Sequence, residues 1–175
     1  MIVRTPQVIT YGMASRCNDG RHVTFLDYDG VTEDVVIEEI QALQEMYKLG
    51  TFALFQTDEK GLSWHAVCLD KRPLIDVIDT IYNSSCDIAF KKAPLFYQYR
   101  SWVLRIAPKG KKAKPKFVRF IESPYAEYEQ SSAHAKLLKL WYNIDFPLKR
   151  PDCEISAPNL PPIRLVSYKT AKRVK

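Results

Sequence analysis

HVTFLDYDG, residues 22–30, sets the rest of the chain in order. Its β-branched and aromatic residues read as a strand over residues 22–29 that stops at Gly30. Side chains alternate along a strand, so Asp27 and Asp29 leave it on the same side. Immediately downstream, Thr32 stands where a helix cap belongs, with Glu33 and Asp34 in a first turn that favours negative charge. Val36, Ile37, Ile40, Leu43 and Tyr47 then recur at helical spacing, and Gly50 marks the end. Residues 51–57 (TFALFQT) and 62–69 (LSWHAVCL) predict two strands joined by the hairpin loop DEKG. A second helix is expected over residues 72–83, burying Leu74, Ile75, Ile78 and Ile81. Residues 102–107 (WVLRIA) predict a further strand, residues 109–116 (KGKKAKPK) a basic turn, and residues 117–121 the strand returning from it. Residues 125–142 read as a third helix. Upstream, residues 7–11 give a short strand before a polar loop, and the last thirty residues hold five of the eleven prolines, an extended tail.

The order β-α-β-β-α-β over residues 22–107 is the split βαβ arrangement of RRM-like and ferredoxin-like sheets. Right-handed crossovers would give the strand order 4-1-3-2. The expected class is therefore α/β (α+β), with helices on one face of the sheet and an added β-hairpin and C-terminal helix. A length of 175 residues suits one domain, with a core over about 22–121 and a helix and Pro-rich tail over 122–175.

Composition narrows the setting. Apolar residues make up 46% and charged residues 26%, an ordinary globular balance. No apolar run reaches the ~18 residues of a membrane span, and the N-terminal stretch lacks a secretory h-region, so a cytoplasmic protein with no membrane partner is expected. Cys17, Cys68, Cys86 and Cys153 are scattered without CxxC spacing, which argues for reduced thiols and against zinc. Cys68, within an apolar run, reads as a core residue. Net charge is +6 but segregated: residues 1–100 carry 10 Lys and Arg against 14 Asp and Glu, and residues 101–175 carry 16 against 6. The positive part is the footprint expected for phosphate backbones, or else a solvated basic face.

Ser63 and His65 share a face of the third core strand, which the 4-1-3-2 order places beside the strand of Asp27 and Asp29. Two carboxylates so placed suit Mg²⁺ or Mn²⁺, hard cations that take oxygen ligands. Neutral His65 and the Ser63 hydroxyl would then meet a triphosphate. Taken singly, DYDG is also a turn sequence and His65 also a core histidine. His134 reads as structural, on a helix with Ala133, Leu137, Leu140 and Trp141. Tyr97, Tyr99 and Trp102 offer base-stacking surfaces, with a core position favoured for Trp102. The five lysines of the basic turn, Lys109, Lys111, Lys112, Lys114 and Lys116, read either as a solvated hairpin or, projecting beside an acidic site, as a clamp on a nucleic-acid duplex.

At these residues the chain resembles the archaeo-eukaryotic primase superfamily. FLDYDG (residues 25–30) is similar to that family's acidic motif, SWH (residues 63–65) to its small-x-His motif, and YRSWVLRIAPKG (residues 99–110) to its Arg-rich run. The resemblance implies a primase-like nucleotidyltransferase serving replication of a plasmid, virus or mobile element. It implies Asp27, Asp29 and His65 as catalytic, Asp27 and Asp29 as metal ligands, and Ser63, His65 and Arg105 at the nucleotide. Arg100 and the turn lysines would hold single-stranded or primed template, with a nucleoside triphosphate and replication proteins as partners. Two features depart from the pattern. No Asp or Glu lies between Lys91 and Phe120, where the third carboxylate belongs, although Asp87 and Asp70 lie upstream; and the family's zinc knob is missing. A non-catalytic nucleic-acid-binding module on the same fold is the alternative. A third reading takes FLDYDG as the motif of haloacid-dehalogenase-type phosphatases, with Asp27 as nucleophile and Asp29 as acid.

Overall fold

The computed structural model describes residues 7–96, 101–153 and 163–169. Their elements run β1 (Gln7–Ala14), β2 (His22–Asp29), α1 (Glu33–Tyr47), β3 (Phe52–Gln56), β4 (Ser63–Arg72) and α2 (Leu74–Tyr82). Then come α3 (Ile88–Phe96), β5 (Val103–Arg105), β6 (Lys116–Ile121), α4 (Ser132–Tyr142) and β7 (Ile163–Lys169). The class is α+β: two antiparallel sheets, one ordered β2-β4-β3-β6 and the other β5-β1-β7, with four helices among the described residues.

The central strands are buried almost throughout, as β2 and β4 show, and this is why their sequences read as near-continuous apolar runs. On one face lies α1, which buries Val36, Ile40 and Leu43 and receives a hydrogen bond from Tyr28 of β2 to Glu39 at 3.0 Å. α2 sits beside it, joined by the Tyr47 hydroxyl donating to Asp79 at 2.9 Å. The opposite face is covered by the second sheet and by α4. Phe25 meets His134 edge-on at 6.2 Å, and Phe55 meets Tyr142 at 4.6 Å. Buried His134 bonds the Ser131 hydroxyl at 2.7 Å and the Ala14 carbonyl at 2.9 Å, tying α4 to β1; the structural role expected for it holds. Trp102 and Cys68 are likewise core residues.

The order β2-β4-β3 matches positions 1-3-2 of the expected sheet, but the fourth strand does not take its place beside β2. β5 has three residues, and its ladder partner is β1, with Gly12 opposite Arg105. β6 instead extends the sheet from the far edge, beside β3. At Asp27 the outer edge of β2 is occupied by the segment after α2: Asp87 N–H donates to the Asp27 carbonyl at 2.9 Å, and Asp27 N–H donates to Cys86 Sγ at 3.3 Å. The RRM-like order is thus replaced by a sheet with a second sheet laid over part of one face.

Other boundaries move for local reasons. The third helix begins at Ser132, because the Ser131 side chain caps it by accepting from His134 N–H, whereas residues 125–131 are irregular. Ile75 and Leu140, expected inside, are exposed; α2 buries Val77, Thr80 and Ile81. α3, which carries Pro94, and β7, within the Pro-rich tail, escape the periodicity reading altogether. Thr32 occupies the cap position of α1 without a side-chain bond.

Gly50 is not the left-handed residue that ends α1; Lys48 is, at φ 54°. Glycine is needed at position 50 because a Cβ there would lie 2.8 Å from Asp70 Oδ1 and 3.0 Å from Gln130 Nε2. The buried Asp70 carboxylate accepts from Gly50 N–H at 2.6 Å and from Gln130 at 3.0 Å. Gln130 in turn accepts from Lys149 N–H at 2.7 Å, so Asp70 is a structural hub remote from the carboxylate pair.

Candidate functional site

The β2–β4 register sets Asp27 directly opposite His65 and Asp29 directly opposite Ser63. Directly opposed residues share a face, so all four lie on the side that carries the second sheet. Where that sheet stops, β5 and the basic turn roof a cleft of about 190 Å³. Asp27, Asp29 and His65 form its floor; Val103, Leu104 and Arg105 of β5, Lys109 and Lys112 of the turn, and Thr57 complete it. Ser63 is not among the lining residues, so of the expected nucleotide contacts His65 and Arg105 reach the cleft and Ser63 stays at its margin. Arg100 lies outside the described residues, as do Tyr97 and Tyr99.

Electrostatics divide the cleft in two. On the floor, burial and the neighbouring negative charges of Asp29 and Asp87 push the Asp27 carboxyl up to about 7, against the pull of Lys112 and Arg105. His65 Nε2 stands 3.5 Å from Asp27 Oδ1. Its ring also bonds the Arg105 backbone, and burial with the nearby Arg105 and Lys112 charges drives it down to about 3, so it is neutral at physiological pH. On the roof, burial, Lys112 and Arg105 lower the Lys109 ammonium. The cleft therefore sets a carboxylate that burial and like charge keep from ionising readily, Asp27, against a lysine that burial and like charge keep from protonating readily, Lys109.

The roof is braced by side chains. The Arg105 guanidinium donates to the Ala107 carbonyl at 3.0 Å, to the Ala113 carbonyl, and to the Thr57 carbonyl at 3.5 Å. Lys109 and Lys112 exchange backbone hydrogen bonds of 2.9 Å around Gly110, at φ 56°. Lys114 turns away from the cleft, donating to the Trp141 carbonyl at the end of α4 and lying over the Tyr142 ring at 4.6 Å. Five lysines that look alike in sequence therefore divide: Lys109 and Lys112 face the carboxylates, Lys114 caps a helix, and Lys111 and Lys116 stand exposed.

Two oxygens-only ligands at i and i+2 suit one Mg²⁺ or Mn²⁺ held jointly with phosphate oxygens. Among the described residues no set of three or more Asp, Glu, His or Cys side chains is arranged to hold a metal ion. Asp87 comes near through its backbone and its charge on Asp27, but its carboxylate caps α3, accepting from Ala89 and Phe90 N–H at 2.8 and 3.1 Å. Sequence reading missed Thr57 and the distinct place of Lys112; neither has a local signal, since both reach the cleft through loop geometry. No helix among the described residues is long and apolar enough to cross a membrane. No protein-family model, curated protein or solved structure matches the chain.

Proposed function

We propose that this chain is a primase-like nucleotidyltransferase domain that binds a nucleoside triphosphate with a divalent cation and works on nucleic acid in the cytoplasm. The observation that carries the reading is the opposition, across a 190 Å³ cleft, of Asp27 and Asp29 to Arg105, Lys109 and Lys112. Carboxylates on one side hold a cation and cations on the other hold the phosphates, which is the division of labour a metal–triphosphate complex requires. The ion, when bound, supplies charge neutralisation at the phosphates and lowers the pKa of an attacking hydroxyl. Neutral His65 orients oxygen atoms by hydrogen bonding, and Arg105, fixed by three carbonyls, presents its charge without reorganisation. The order of FLDYDG, SWH and the Arg-containing run supports the primase resemblance, and DNA replication is the process it implies.

Calorimetry with Mn²⁺ and a nucleoside triphosphate tests this. Micromolar to submillimolar binding is expected, falling at least tenfold in Asp27→Asn. Because Asp27 holds its proton up to about 7, affinity should rise with pH through neutrality as that proton is released on binding. No affinity for nucleotide with either metal removes the reading.

One observation favours the non-catalytic module as a second reading: the cleft offers two carboxylates and a guanidinium where the family's motif has a third acid. Extension of a primer by the parent chain, abolished in Asp27→Asn, separates the two. The phosphatase motif does not fit, because that fold needs a doubly wound parallel sheet and the ladders between the described strands are all antiparallel.

A further inference from the structure

The β3–β4 connection and the basic turn face each other across a second groove, of about 620 Å³. Residues 56–60 make one wall; Lys111, Lys112, Ala113 and Lys114 make the other, with Lys116 between. Thr57 and Lys112 line both this groove and the carboxylate cleft, so the two adjoin there. Lys60 adds a cation from the wall opposite the basic turn. Two acids oppose the lysines, Asp58 and Glu59, and Asp58 Oδ1 is already engaged, accepting from Leu62 and Ser63 N–H at 3.0 Å each. Arg105 bridges the walls, donating to the Thr57 carbonyl on one and the Ala113 carbonyl on the other. None of the lining side chains is aromatic.

We infer that this groove seats a single strand of nucleic acid, gripped through its phosphates without base recognition, and leads it to the carboxylates at Lys112. The inference rests on the nucleic-acid reading above but not on its chemistry. Lysines on both walls match a phosphate chain, and their contacts position a strand without reading it. Stacking platforms, the usual second grip on single strands, are lacking in the lining. The volume suits a short stretch of one strand, whereas a duplex is wider than its own ~12 Å major groove. Because Arg105 ties the walls together, the groove exists before the strand arrives, and little ordering cost falls on the protein.

Fluorescence anisotropy on the full chain, with a labelled oligothymidylate in EDTA across a salt series, tests this. The triple variant Lys60→Ala, Lys111→Ala, Lys116→Ala should bind at least tenfold more weakly at low salt. Its salt slope should flatten by roughly 2, from about 0.7 per lost contact. An oligomer of abasic sites should bind within threefold of oligothymidylate, and Lys92→Ala, on α3 and outside the groove lining, should bind as the parent does. Thermal melting by circular dichroism confirms that the triple variant folds. Parent-like binding by the triple variant overturns the proposal, as does a tenfold loss on removing the bases. Tighter binding of duplex than strand, or equal binding of polyglutamate, also overturns it. A parent chain that binds the strand but no nucleotide keeps the groove and removes the nucleotide site. Nucleotide binding with an indifferent triple variant does the reverse.

Discussion

The floor and the roof of the cleft are built by different means. Asp27 and His65 are held by a backbone ladder on strands buried on both faces, so their opposition follows from register alone. Arg105, Lys109 and Lys112 are held by a three-residue strand and by side chains donating to carbonyls, two of them from residues far along the chain. The ladder gives a fixed floor; the side-chain bonds give a roof that a substitution can loosen without unfolding the sheet. Substitutions that disturb the packing of the sheet should therefore cost the most stability, and roof substitutions less.

The sharpest break should come under the floor. Gly50→Ala drives a methyl against Asp70 and Gln130 and should cost roughly 2–4 kcal/mol by urea unfolding. Asp70→Asn should not relieve it, since Asn fills the same space. A loss under about 1 kcal/mol would show that this hub yields, and that the floor is no stiffer than the roof.

In the roof, Arg105→Met keeps the aliphatic stem and removes three charge-assisted bonds. The Ala113 carbonyl is exposed and regains water, and the other two are only partly buried, so the loss should be smaller, about 1–2 kcal/mol. Hydrogen exchange should rise over residues 107–114 while β2 and β4 keep their protection. Equal loosening of β2 would mean that floor and roof are one unit.

The smallest effects are set by protons. Asp27, raised to about 7, contributes stability that is present below about 4 and lost as pH rises to 7. His65, lowered to about 3, contributes stability that is present above 6.5 and lost as pH falls to 3. Over pH 4–6.5 the two oppose each other, and each single variant exposes the other. Asp27→Asn should gain on the parent by on the order of 1 kcal/mol between pH 5 and 8, after allowance for solvent screening. His65→Asn should steepen the parent's loss over pH 4–7. His22 and His134, each held by burial to about 4, act in the same sense as His65 in every variant. Superposable pH profiles for parent and Asp27→Asn would show an ordinary surface carboxylate.

The same division explains what could be read in the sequence. The floor was legible because a period of two is local: Asp27 with Asp29 and Ser63 with His65 need only strand parity and an adjacent pair of strands. The roof was not, because WVLRIA gives a strand signal but no hint that its partner is β1 rather than β2. IRLVSYK pairs with β1 from Gln7 to Met13 and went unread among the prolines before it. Nor does KGKKAKPK say which lysine caps α4; Lys114 is singled out only by Trp141 and Tyr142, over 25 residues away.

The plug at the outer side of β2 has a consequence for assembly. An unpaired sheet edge invites a strand from another molecule to add itself, and β2 is such an edge by order. Beside Asp27, however, Cys86 and Asp87 have already taken the carbonyl and the N–H that an incoming strand would need. Growth of the sheet by strand addition is blocked next to the carboxylates, so a second chain cannot seal the cleft by adding a strand at that point.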